Sequence, residues 1–92
     1  MVDGRSALAL FGDLDLVALP TVREALLGVA AEPQSDLVVD FRHVTFCGAA
    51  VLGLLAAAAA RLRAEGYRLR VCRAQPAQSR IFRLCALDEL LL

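Results

Sequence analysis

Leu37-Val38-Val39-Asp40-Phe41 is a near-continuous apolar run of strand length. Runs of this kind mark strands covered on both faces, which sit in the middle of parallel sheets, so the segment is expected at the centre of one. A second signal follows closely. From Ala49 to Glu65 the chain has its strongest helical pattern, with Val51 or Leu52, Leu55, Ala59 and Leu62 on one stripe and five alanines at 56–60. The alanines combine high helix propensity with room for close approach to a sheet, and Gly66 stands where a left-handed residue closes the last turn.

The flanking segments continue the alternation. Ser6 to Phe11 reads as a short strand stopping at Gly12, with "GDLD" as a polar turn. Leu16 to Ala31 reads as a helix with Pro20 in its first turn. Tyr67 to Cys72 alternates apolar and charged residues, which predicts a strand with one wet face, nearer the sheet edge than Leu37–Phe41. Gln75-Pro76 opens a last helix, on which Ile81, Leu84, Cys85 and Leu87 repeat at helical spacing. Strand and helix therefore alternate three times. That order specifies an α/β fold, a small, mostly parallel (mixed) sheet with helices packed on it through right-handed crossovers.

With 92 residues, the chain has material for one domain, 1–92, and one core, but not for a deep catalytic cleft with separate walls. A hydrophobic fraction of 59% is more than one small core hides, which points to a homodimer. Ten acidic residues balance ten arginines, so the net charge of zero supplies no long-range attraction for nucleic acid or an anionic membrane. The apolar run ending at Ala60 is shorter than the roughly 20 residues of a membrane span, and no signal-peptide pattern opens the chain. Cys47, Cys72 and Cys85 are odd in number, far apart and set among apolar residues, as free buried thiols of a cytoplasmic protein are.

Candidate chemistry is sparse. His43 is the only histidine, sits in the polar stretch "FRHV" and has no second ligand nearby, so it reads as a solvated turn residue. Asp13 and Asp15 form a carboxylate pair without an identifiable acid–base partner. The glycines assemble no phosphate-cradling motif. No enzyme, cofactor or metal site is expected.

Taken in order, "FGDLD" with "REAL", "LVVDFRHVTF", "VLGLLAAAAARLRAEG" and "LRVCRAQPAQSRIFRLCALDELL" resemble the STAS domain of bacterial anti-sigma-factor antagonists, from about Ser6 to Leu91. The resemblance implies a protein-binding module whose partner is an anti-sigma factor, usually a serine kinase. In regulated members Asp-Ser-Ser-Gly opens the helix, and its second serine accepts phosphate. Here those positions are Gly48, Ala49, Ala50 and Val51, with Ala50 at the acceptor position. A phosphate at a helix N-terminus is stabilised by free N–H groups and adds about −2 charges, but neither alanine offers a hydroxyl. Thr45, three residues before Gly48, lies in the presumed strand end, and Ser79 on the last helix.

The same resemblance implies that the loop with Asp13 and Asp15 lies close to the acceptor position and joins the partner surface, and the face expected here comprises Asp13, Asp15, His43, Gly48, Ala49, Ala50 and Val51. The resemblance also admits a second role, as a structural subunit of a stressosome-like scaffold or a transporter-associated component. Against the family pattern both ends are expected to be short, since Met1 to Arg5 cannot supply a full first strand and the chain stops at Leu92.

Overall fold

The inner face of one long strand organises the molecule. The computed structural model describes residues 5–92, so the expectation about a first strand at Met1–Arg5 falls largely outside the described residues. Strand β1 (Arg5–Leu14) leads to helix α1 (Leu19–Ala31), strand β2 (Asp36–Cys47), helix α2 (Ala49–Ala64), strand β3 (Leu69–Cys72) and helix α3 (Pro76–Leu84), followed by a 3₁₀ turn at Asp88–Leu90. The sheet order is β1-β2-β3 and both pairings are parallel, as the alternation of elements demands. Successive right-handed crossovers stepping in one direction place α1 and α2 on the same face, where they pack on each other. Among the described residues no helix is long and apolar enough to cross a membrane.

β2 is central, as expected, but it is covered on one face only. Leu37, Val39 and Phe41 are fully buried, while Val38 and Asp40 between them stay partly open because all three helices gather on the opposite side. β2 also runs six residues past Phe41, so His43 lies in the strand and not in a turn. The physical reason is a change of period. Opposite β1 the register slips twice, between Ala9 and Phe11 and between Gly12 and Asp13, each time leaving an extra residue on β2. Buried positions then fall at Phe41, Val44 and Cys47, three apart, and the bulges absorb the polar residues between them.

The "GDLD" segment is likewise mostly strand. Gly12, at φ 78°, sits within β1, and chain reversal waits until Asp15. α1 starts at Leu19 with Pro20 in its first turn, so Leu16 and Val17 remain outside the helix.

Helix α2 buries Val51, Leu52, Leu55, Ala58, Ala59 and Leu62, the expected stripe, and ends as expected at Gly66. Gly66 N–H donates to Arg63 O at 3.0 Å and Tyr67 N–H to Leu62 O at 2.9 Å, the paired bonds of a Schellman closure. α3 ends the same way, with Ala86 N–H to Arg83 O at 3.1 Å and Leu87 N–H to Phe82 O at 2.8 Å. There the left-handed residue is Ala86, at φ 57°.

The core face of α3 differs from its expected stripe. Gln78 and Phe82 are buried, whereas Leu84 and Cys85 are exposed. Phe82 meets Phe41 edge-on, ring centroids 5.6 Å apart, and this contact fixes which side of α3 turns inward. Beyond Asp40, β2 has no strand on its β3 side. Side chains of α3 and its N-cap take that place: Gln75 Nε2 donates to Arg42 O at 3.4 Å and Val44 O at 3.5 Å, and Gln78 Nε2 to Thr45 O at 3.3 Å.

The thiols do not share one environment. Cys47 is buried, Cys72 half-buried and Cys85 exposed, and all three are free. Burial, with a smaller contribution from Cys85, pushes the Cys47 thiol up to about 11.

Two outcomes are expected. Ala86→Gly removes a left-handed alanine that costs about 1 kcal/mol, and thermal unfolding should show Tm rising by about 4–8 °C. Timed alkylation read by mass spectrometry should modify Cys85 first and Cys47 last, the latter on the order of 100-fold more slowly than an ordinary thiol, with Tm unchanged by reductant.

Candidate functional site

β1 and β2 finish side by side, with Asp13 opposite Phe46 and Leu14 opposite Cys47. Gly48 N–H donates to Leu14 O at 3.0 Å, so α2 begins directly at the carboxyl end of the sheet. Gly48 is the N-cap, at φ −78° and ψ 163°, and its carbonyl accepts from Val51 N–H at 3.1 Å and Leu52 N–H at 3.3 Å. It offers no side-chain cap, and the first turn holds no acidic residue. The N–H groups of Ala49 and Ala50 therefore have no intrahelical acceptor, and the positive end of the helix dipole is bare.

Ala49 and Ala50 are exposed, as a contact face requires, and Gly48 is half-buried. Val51 is not part of that face. Its side chain is fully buried because the third helical position turns back onto the sheet. The glycine at 48 is not demanded by backbone geometry, since a Cβ there would meet only Leu14 O at 3.5 Å and the Phe46 ring at 3.7 Å, ordinary contacts.

The two carboxylates flank this mouth in different roles. Asp13 accepts a hydrogen bond from Thr45 Oγ1, tying the end of β1 to β2. Asp15 Oδ1 accepts from Val17 N–H at 3.1 Å and Ala18 N–H at 3.2 Å, an Asx turn that directs the chain into α1. Both remain exposed. His43 lies farther down the outer face of the sheet, opposite Phe11, and the two rings stack with centroids 5.0 Å apart and planes 7° from parallel. The structure thus groups Asp13, Asp15 and Gly48 to Ala50, and sets His43 apart with Phe11.

Sequence reasoning missed the apolar members of the face. Leu16 is 76% exposed, Val17 88% and Phe46 50%, all on segments that border the α2 mouth. Pro20 held the signal: it favours the first turn, which leaves residues 16 and 17 ahead of the helix. The α2 mouth is thus a bare dipole end rimmed by two carboxylates and three exposed apolar side chains.

Over residues 1–92 the sequence matches the family described as Mlab, STAS domain. The chain belongs to the STAS family. Among solved structures the STAS fold here resembles the anti-sigma factor antagonist SpoIIAA in its unphosphorylated form, with a TM-score of 0.84 and 20% identity, covering 100% of this chain and 82% of that one. The phosphorylated form of SpoIIAA, described as a Bacillus cell fate determinant, gives 0.77 at 20% identity, covering 100% and 85%. A sulfate transporter family protein from Wolinella succinogenes gives 0.68 at 18% identity, covering 97% and 76%. No curated protein matches the sequence.

Since position 48 has ordinary backbone angles and space for a side chain, Gly48→Asp should cap the free N–H groups of this STAS domain and complement its dipole. Chemical denaturation should show a gain of about 0.5–1 kcal/mol.

Proposed function

We propose that this STAS domain is a non-enzymatic protein-binding module, which engages an anti-sigma factor of the serine-kinase type and so regulates sigma-factor-dependent transcription in the cytoplasm. One observation carries the reading: the uncapped mouth of α2, with Ala49 and Ala50 exposed and no hydroxyl between positions 48 and 51, stands beside exposed Leu16, Val17 and Phe46. Asp13 and Asp15 face basic groups of the partner, and the small residues at 48–50 allow its backbone to come close. The domain binds constitutively, because Ala50 at the acceptor position cannot carry the phosphate that would repel a partner. The fold likeness to SpoIIAA in both its forms supports the anti-sigma partner. The high apolar fraction supports self-association as a homodimer.

A second reading has its own support. The fold likeness to a sulfate transporter family protein favours a structural subunit of a larger assembly, such as a transporter-associated component or a scaffold.

Incubation with a serine-kinase anti-sigma factor and ATP, followed by mass spectrometry and native gels, separates these readings. The wild-type complex should persist without phosphate. The triple variant Gly48→Asp, Ala49→Ser, Ala50→Ser should accept phosphate at position 50 and dissociate. Val51 should be retained in that variant, since replacing this buried side chain by glycine costs about 2–3 kcal/mol. Phosphate on wild-type Thr45 would overturn the loss of the switch. A triple variant that neither binds nor accepts phosphate would favour the structural subunit.

A further inference from the structure

The two edges of the sheet are treated differently. β3 is four residues long, and its outer side is covered where Leu91 bridges Val71 and Leu92 N–H donates to Val71 O at 2.9 Å. β1 is ten residues long and lies at the other edge. Among the described residues, its only main-chain hydrogen bond outside the ladder with β2 is Leu14 O accepting from Gly48. Among the described residues, nothing pairs with the row of N–H and C=O groups that runs about 30 Å along its outer side. Edge strands are ordinarily blunted by charge, proline or covering structure, yet positions 6–11 read Ser-Ala-Leu-Ala-Leu-Phe.

From this we infer that β1 is the interface of a homodimer, pairing antiparallel with β1 of a second copy about a two-fold axis at Ala9. This rests on the self-association reading above and adds its surface. An axis normal to the sheet keeps the helices of both copies on one side and sets residues of the same face opposite each other. With Ala9 on the axis, Leu8 faces Leu10 of the other copy on the helix side, extending the buried layer. On the outer side Ala7 faces Phe11, which is 65% exposed, so a small residue meets a large one. Leucine against leucine on one face and small against large on the other make the strand complementary to itself, which favours a second copy over an arbitrary extended segment. Joined this way, the two three-stranded sheets form one of six strands, and the partner face at α2 remains free on each copy.

Ala9 is exposed on the outer face, so charge can be added there without disturbing the core. Light scattering and sedimentation of the full chain at micromolar concentration should give a dimer for the wild type. Ala9→Lys and Ala9→Asp should each raise the dimer dissociation constant at least tenfold, with circular dichroism unchanged, because like charges then meet on the axis. A one-to-one mixture of the two variants should restore the dimer. A wild type that is monomeric throughout a dilution series overturns both the inference and the self-association reading. Single variants as dimeric as the wild type overturn the β1 edge while leaving self-association intact, and a mixture that fails to reassociate overturns the register through Ala9.

Discussion

The contact between the inner face of β2 and the helices is what the rest of the structure depends on. Leu37, Val39, Phe41 and Val44 have no solvent exposure, and α2, β1, β3 and the Phe82 ring of α3 are all arranged around them. Since apolar burial supplies the main driving force of folding, the direction in which these side chains point decides where every helix goes. With both crossovers on that side, the ends of β1 and β2 emerge together, and the bare start of α2 is delivered to them by the single residue Gly48. The face proposed for partner binding is thus a by-product of core geometry, decorated by loops.

Much of this was legible from the residues. The five apolar letters at 37–41, the stripe from Val51 to Leu62 and the left-handed Gly66 each express a local preference that the tertiary structure obeys, and together they fix alternating elements and a parallel sheet. Where the reading stopped short, a local rule had been overruled. Arg42-His43 looks like a turn if strands must alternate with period two, but two bulges change the period to three, and the strand continues through polar residues to Cys47. The inward side of α3 is set by one distant ring, Phe41, so the stripe through Leu84 and Cys85 could not reveal it.

The candidate site was legible in position more than in composition. Gly48 to Ala50 mark the mouth by their place between strand and helix, and Asp13 and Asp15 by their place at the end of β1. The exposed Leu16, Val17 and Phe46 escaped notice because apolar residues near a helix or strand are ordinarily assigned to the core. Val51 was misplaced for the complementary reason. Alignment with a motif names a position, whereas the turn of the helix decides whether its side chain faces solvent.

One arrangement beneath the site has a mechanical consequence. Beyond Asp40, β2 is held on its far side by the amides of Gln75 and Gln78 in place of a strand, and Gln78 Oε1 is buried with no partner of its own. Ladder bonds between strands break as a zipper, each loss weakening the next, but amide side chains let go singly by rotation about their own bonds. On that side the end of β2 is therefore held by separate side-chain contacts, while its ladder with β1 continues to Leu14 opposite Cys47. Loss of one such contact does not have to propagate into the pairing of β2 with β3, which ends at Asp40.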